Sequence, residues 1–239
     1  RPLWITTRMT HCFALGHLLG RTGDGELADH GVAALRDSGP GGHHDGEFGG
    51  WFTDPDDPDA AKGAYGHAHV VLAAASATAA GRPGGRELLA DALEVSGARF
   101  WDDEAGAVVE EWDRSFTTLD PYRGANANMH TTEAYLAAAD ASGDRLWRDR
   151  ALRIATRIID TGARTRDWRV PEHFTADWAE QPGYNRDAPA HPFRPYGATP
   201  GHGMEWARLL LHLEASLAAD GVLDAGPGGA HAWLREAAV

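Results

Sequence analysis

The chain has 239 residues, 43% of them hydrophobic and 24% charged, enough to bury a sizeable core in one domain. A net charge of -13, from 22 Lys and Arg against 35 Asp and Glu with Lys62 the sole lysine, repels a phosphate backbone and excludes nucleic acid as a partner. No run approaches the roughly 20 apolar residues of a membrane-spanning helix, the first residues carry no signal-peptide pattern, and Cys12 is the single cysteine, so the reading is a soluble protein of the cytoplasm with no membrane partner.

Taken along the chain, four helical runs begin at or near a histidine: "HCFALGHLLG" from His11, "HAHVVLAAASATAA" from His67, "HTTEAYLAAADAS" from His130 and "HGMEWARLLLHLEASLAA" from His202. Each of the first three is followed by a second helical pattern with apolar spacing on one face, "ELADHGVAAL", "RELLADALEV" and "RLWRDRALRIATRII". Between one second helix and the next histidine-bearing helix lie "EFGGWFTD", "AVVEEWD" and "RVPEHFTADW", which alternate enough to predict short β-hairpins. The repeat is thus inner helix, outer helix, hairpin, with Ala-rich inner helices suited to close packing. A closed toroid accounts for it better than an open solenoid, because neither end shows a polar cap. The predicted fold is all-α, a toroid of helix pairs with the hairpins at the mouth of a pocket. Residues 1–239 form a single domain holding about three and a half repeats, and so are expected to be truncated at both ends.

Within "HCFAL", Cys12 reads as an apolar core thiol, and "HHD" at His43–Asp45, next to two glycines, as a solvated turn. The chemistry gathers near the helix starts. In "LWITTRMTH", Trp4 and Arg8 share a helix face, an aromatic platform beside a permanent cation, with a buried salt bridge as the alternative role for Arg8. "KGAYGHAH" is expected to put Tyr65 and His67 at the mouth, although His67 and His69, two apart, point to different faces and chelate poorly. In "YRGANANMHTTEAY", Asn126 and Asn128 precede the helix and suit sugar hydroxyls, Asn126 serving equally as an N-cap. His130 and Glu133 then repeat the spacing of His202 and Glu205 and are expected at the same depth. "PAHPFRPYGATPGHGMEW" brings Arg194 close to His202. Thr199 reads as N-cap, Pro200 as the first helical residue and Gly201 as a place where backbone approaches a ligand. His202, in the first turn, is expected to stay neutral against the positive helix end and to accept a proton near pH 7; Glu205 orients it or binds a hydroxyl. Motifs for zinc, phosphate or a serine nucleophile do not occur, so no metal and no cofactor are called for.

The blocks "LWITTRMTH", "KGAYGHA", "YRGANANMHTTEAYLAAAD", "PEHFTADW" and "PAHPFRPYGATPGHGMEWARLLLHLEASL" together resemble the N-acylglucosamine 2-epimerase superfamily over nearly the whole chain. "NRDAPAHPFRPYGATPGH" is similar to its branch of mannose and sulfoquinovose isomerases. That resemblance implies an (α/α)6 barrel and cofactor-free exchange of an aldose with its ketose through a cis-enediol, the partner being a small monosaccharide. It carries His202 over as one of two acid/base histidines and Glu205 as a group near the reacting carbons. Arg8, Tyr65, Asn126, His130 and Arg194 become contacts to substrate oxygens and Trp4 a surface for the sugar. The second histidine is expected in a C-terminal helix outside these residues. A sugar 2-epimerase is the nearest alternative; a glycoside hydrolase, with Glu110, Glu111 and Asp113 as candidate carboxylates, and a sugar-binding protein are more distant ones. The choice of sugar and the oligomeric state stay open.

Overall fold

A computed structural model describes all residues, Arg1–Val239. Its α-helices come in consecutive pairs: α1 (Leu3–Leu18) with α2 (Asp24–Arg36), α3 (Ala64–Ala79) with α4 (Gly85–Val95), α5 (Ala125–Ser142) with α6 (Arg145–Ala155), and α7 (Pro200–Ala219) with α8 (Trp233–Ala237). Six two-residue strands accompany them: β1 (Lys62–Gly63), β2 (Trp101–Asp102), β3 (Ala107–Val108), β4 (Glu111–Trp112), β5 (Arg123–Gly124) and β6 (His173–Phe174). Two compact units divide the chain. The first comprises residues 1–101, 109–120 and 137–144, the second residues 102–108, 121–136 and 145–239.

In the first unit, the contrast between α3 and α4 follows from composition. α3 is buried on all sides, from Ala64 through His67 to Ala77, because alanines let neighbours approach from every direction. α4 buries only Leu88, Leu89, Ala92 and Leu93, the spacing of a single apolar stripe. Close approach is enforced by glycine: a Cβ at Gly31 on α2 would stand 2.0 Å from the Thr10 hydroxyl of α1, and one at Gly85 2.9 Å from the backbone of Ala77. α1 is less amphipathic than a core helix should be. It buries Leu3, Thr7, Thr10 and Ala14, yet leaves Ile5, Met9, Leu15 and Leu18 exposed. Cys12 lies on its exposed side, contrary to the core position that the apolar surroundings suggest.

The strands bear out the hairpin expectation in part: β2 and β3 pair across a four-residue turn, while the other strand pairs join more distant segments. β1 pairs antiparallel with β4, Lys62 opposite Trp112, and β5 with β6, Arg123 opposite Phe174. Each pair therefore closes around a helix pair, β1-α3-α4-β4 and β5-α5-α6-β6. "EFGGWFTD" forms isolated bridges, Trp51 with His44 and Asp54 with Asp57, and no strand. In both strand pairs the ladder hands over directly to a helix: the Ala64 N–H donates to the Glu110 carbonyl at 2.8 Å and the Ala125 N–H to the Glu172 carbonyl at 2.9 Å. Strand pairing thus fixes where α3 and α5 begin, and α3 has no side-chain cap bond.

Consequently the helices open upstream of their histidines by unequal amounts. His130 is the sixth residue of α5 and His202 the third of α7, so the two do not hold the same place along their helices. Asn126 and Asn128 sit inside α5, not before it. At α7, Thr199 is the N-cap and Pro200 the first helical residue, as the sequence indicates, although the Thr199 side chain makes no cap bond. Its carbonyl accepts from the His202 N–H at 2.9 Å.

Candidate functional site

The polar cluster of the second unit begins at Glu172, just before β6. Its side chain is 5% exposed and its carboxylate accepts from His202 Nδ1 at 2.9 and 3.0 Å. The same carboxylate accepts from the Thr199 N–H at 3.1 Å. A carboxylate cannot donate, so His202 carries its proton on Nδ1 and Nε2 is left to exchange protons with a ligand. Burial pulls the His202 imidazole down, but the Glu172 hydrogen bond and charge, with the charge of Glu205, outweigh it and hold the group above the ordinary histidine value. This reverses the expectation from the helix terminus alone. A half-charge at the end of a helix is weaker than a full carboxylate at hydrogen-bond distance. It also reassigns the role of orienting the ring, since Glu172 holds it and Glu205 acts only through its charge.

His202, Glu205 and Arg208 follow one another at i, i+3 and i+6 along one face of α7. Arg208 donates to Glu133 of α5 at 2.5 Å, and Glu133 lies 3.7 Å from His130 Nδ1. Burial pushes the Glu133 carboxyl up; the nearby His130 imidazole and the Arg208 charge and hydrogen bond more than offset this and bring it to about 2. The unit therefore lines up base, acid and cation on α7 against an imidazole and an ionised carboxylate on α5. Glu172 and Arg208 were both outside the residues picked from sequence. Glu172 is 30 residues from its partner, and the signal that marks it is the repeat: Glu110-Glu111-Trp112 and Glu172-His173-Phe174 occupy equivalent places beside β1 and β5.

Next to Glu172, the opposite face of the strand presents His173. Its Nε2–H donates to the Pro195 carbonyl at 2.8 Å, so Nδ1 accepts from the Tyr122 hydroxyl at 2.7 Å. Tyr184 packs over Tyr122 and His173, with centroids 4.7 and 4.9 Å away, and the Arg194 guanidinium lies 4.2 Å from the Tyr122 ring centroid. Arg194 is thus placed by a cation–π contact, its carbonyl held by Asn185 at 2.7 Å. A cavity of about 360 Å³ lies beside these residues, lined by Arg166, Pro171, Glu172, His173 and Gln181 among others. Asn126 is half-buried near the start of α5. Asn128 is instead fully buried and occupied with backbone, accepting from the Val108 N–H at 2.9 Å and donating to the carbonyls of Val108 and Gly124 at 3.1 and 2.9 Å.

The first unit brings Trp4, Arg8 and Tyr65 together. Arg8 is exposed, not buried in a salt bridge; it donates to the Tyr65 hydroxyl at 2.8 Å and to His69 Nε2 at 3.1 Å. Its guanidinium carbon is 5.6 Å from the Trp4 ring centroid. Because guanidinium only donates, His69 carries its proton on Nδ1, which donates to the Tyr65 carbonyl at 2.8 Å. His67 is a core residue, its Nδ1 on the Gly63 carbonyl at 2.8 Å and its Nε2 accepting the Trp51 N–H at 3.2 Å; burial, helped by the Lys62 charge, takes it down to about 4. "HHD" is no solvated turn, since His43 and Asp45 are 4% and 1% exposed. Asp45 accepts from Lys62 at 2.8 Å and from Arg114 at 3.0 Å. Of the hydrolase candidates, Asp113 is committed to the Ser115–Thr117 turn, which it closes through the Thr117 N–H at 2.8 Å and hydroxyl at 2.7 Å.

The family described as N-acylglucosamine 2-epimerase (GlcNAc 2-epimerase) matches residues 1–237. A D-mannose isomerase of Thermobifida fusca is 56% identical over 218 residues, which are 90% of this chain and 53% of that protein. A D-mannose isomerase of Pseudomonas cannabina pv. alisalensis is 53% identical over 213 residues, 88% of this chain and 50% of that one. A crystal structure of D-mannose isomerase superposes with a TM-score of 0.83 at 31% identity, covering 99% of this chain and 59% of its own. The fold is accordingly that of helix pairs of the (α/α) barrel kind. The chain spans about half the length of the curated relatives it matches.

Proposed function

The chain belongs to the N-acylglucosamine 2-epimerase family, and from that premise we propose that it takes part in aldose–ketose isomerisation of D-mannose and D-fructose, or a closely related sugar, with His202 as a proton-transfer residue. The observation that carries this is the His202 imidazole, held at Nδ1 by buried Glu172 with Nε2 presented for exchange. In the open-chain aldose the C2–H bond breaks, its proton going to Nε2 and its electrons forming the C1–C2 double bond of an enediol as the carbonyl oxygen gains a proton. Protonation at C1 and loss of the O2 proton then give the ketose. A base tuned near neutral pH and donors for the developing enediolate oxygen are what such a step requires. His130 and Arg8 are proposed as such donors, Glu205 as a group near the reacting carbons, Asn126, Tyr65 and Arg194 as contacts to substrate oxygens, and Trp4 as a surface for the sugar.

The identities of 56% and 53% to D-mannose isomerases favour that branch. The single-domain reading of 1–239 belongs to the proposal and is supported by one continuous family match. So does a cytoplasmic location, with which the one unpaired thiol of Cys12 agrees.

The deciding experiment is NMR of the protein with D-mannose in D2O. Fructose carrying solvent deuterium is expected; a C2 epimer without fructose would transfer the assignment to the epimerases, and binding without turnover would make this a sugar-binding chain. His202→Asn should lower turnover by about 10²–10⁴-fold, the usual worth of a general acid/base, while the saturation-transfer signal of bound sugar changes little.

A further inference from the structure

Glu172 is placed to act on two helices at once. Its carbonyl accepts the first N–H of α5, from Ala125 at 2.9 Å, while its carboxylate accepts the N–H of Thr199 and the imidazole N–H of His202 at the opening of α7. The equivalent residue of the first unit, Glu110, makes the same backbone bond, to Ala64 of α3 at 2.8 Å. Main-chain registration of a helix on its strand pair is thus common to both repeats, and at Glu172 the side chain holds a histidine as well.

We propose that Glu172 is the positioning residue for His202: it selects the Nδ1–H tautomer, aims Nε2 into the site and locks the first turn of α7 so that His202 keeps its depth. The geometry is the carboxylate–imidazole pairing in which a buried acid fixes a base without exchanging the substrate's proton itself. One carboxylate serves both purposes because Thr199 and His202 lie three residues apart, and their N–H groups reach it from the same turn. The titratable and charged groups facing the imidazole are Glu172 just before β6, His173 within β6 and Glu205 on its own helix. Glu172 is the one in contact, so its loss should change both tautomer and proton affinity, while loss of Glu205 should change affinity alone. The role as a positioning residue rests on the reading of His202 as the proton-transfer group; the tautomer and the helix lock do not.

The test compares wild type, Glu172→Gln and Glu172→Asp in two arms. In the first, long-range nitrogen–proton NMR of the histidines reads the tautomer and titration midpoint of His202 without any substrate. The expected outcome is an Nδ1–H imidazole in wild type, a lower midpoint and a mixed tautomer in Glu172→Gln, and an intermediate state in Glu172→Asp, whose shorter reach weakens but keeps the pair. In the second, Glu172→Gln should lower kcat by about 10²-fold with KM little changed, of the order found when groups behind a reacting residue are removed; the acid limb of its pH profile should move to lower pH, with partial rescue in Glu172→Asp. Should Glu172→Gln not fold, Glu172→Asp carries both arms. If the variants melt earlier but leave the His202 tautomer and midpoint where they are in wild type, Glu172 is only a helix cap and the proposal is overturned. A wild-type protein that turns over no sugar, yet shows the expected tautomer changes, would remove the isomerase reading and leave the pairing in place.

Discussion

The openings of α3 and α5 are built on one plan with different side chains. Lys62-Gly63-Ala64-Tyr65 and Arg123-Gly124-Ala125-Asn126 each supply a buried cation, a strand pair and a helix start. Four residues after each glycine, His67 and Asn128 reach back to the carbonyls of Gly63 and Gly124, both at distances of 2.8–2.9 Å, while their other ends accept a backbone N–H from Trp51 and Val108. Six residues after each glycine stand His69 and His130, bound to groups that differ: His69 to Arg8, His130 beside Glu133. The difference teaches that in each repeat the residue at plus four is architecture and the residue at plus six carries variable chemistry. A histidine at plus four is therefore no evidence of a site.

The two cations diverge most. Lys62 is fully buried, bonded to Asp45 at 2.8 Å and to the Gly49 carbonyl at 2.7 Å, and lies 4.7 Å from the Phe116 ring centroid; Arg123 donates to the Tyr122 carbonyl at 2.8 Å. Asp45→Asn leaves Lys62 and Arg114 without their shared carboxylate, and breaking a buried pair on one side costs about 3–5 kcal/mol. The largest loss of stability among these variants is expected here, read by urea denaturation. Burial pushes Asp45 up, yet the Arg114 and Lys62 hydrogen bonds hold it far below the usual carboxylate range. A depressed folded-state value means that its stabilisation is present above about pH 4, where the unfolded carboxyl is ionised, and fades as pH falls below that. The wild type should lose stability in acid more steeply than Asp45→Asn; parallel acid limbs would show that the ion pair is not the source.

Much of this plan was legible in the sequence. The helical runs, the Ala-rich character of α3 and the Thr199–Pro200 start of α7 all follow from local pattern, because apolar periodicity and N-terminal chemistry act within a turn or two. Strand partners were not legible: Lys62 and Trp112 are brought together by an intervening helix pair, and two-residue strands are too short to alternate. His202 could be singled out from its place in the first turn, but its state could not, since Glu172 arrives from another element and reverses the sign of the effect on its proton affinity. "HHD" misled because flanking glycines signal a turn whether or not the turn is later buried. Cys12 misled because α1 exposes apolar residues on the side that local composition assigns to a core.

Exchanging the plus-four residues sharpens the comparison. Asparagine at position 67 can still donate to Gly63 and accept from Trp51, so His67→Asn should lose packing against Trp51 and Phe100 but keep its hydrogen bonds. Histidine at 128 has one donor for two carbonyls, and its ring is larger than the amide it replaces. Asn128→His should therefore cost about 2–4 kcal/mol, an unsatisfied acceptor plus overpacking, against about 1–2 kcal/mol for His67→Asn, a small cavity. Equal losses in urea denaturation would mean that the two positions are not equivalent in what they bind.

The smallest effect concerns the cations that reach across to a neighbouring helix, Arg8 from α1 to Tyr65 and His69 and Arg208 from α7 to Glu133. Arg8 meets an imidazole that must be unprotonated at Nε2 to accept from it, and Arg208 an ionised carboxylate. Arg208 is 55% exposed, and solvent-screened pairs of this kind contribute about 0–1 kcal/mol; Arg208→Ala should leave the stability nearly unchanged. It should nevertheless raise the Glu133 carboxyl from about 2, because the Arg208 charge and hydrogen bond that oppose its burial are gone. Carboxyl-carbon NMR titration measures this directly. Because Glu133 is depressed in the folded state, the stability it lends is lost as pH falls below about 4, and the variant should lose less there than the wild type. An unmoved Glu133 would mean that Arg208 does not sit on α5 in solution, and the face of α7 would then present a free cation beside Glu205, turning a helix-pairing contact into a candidate anchor for a sugar oxygen.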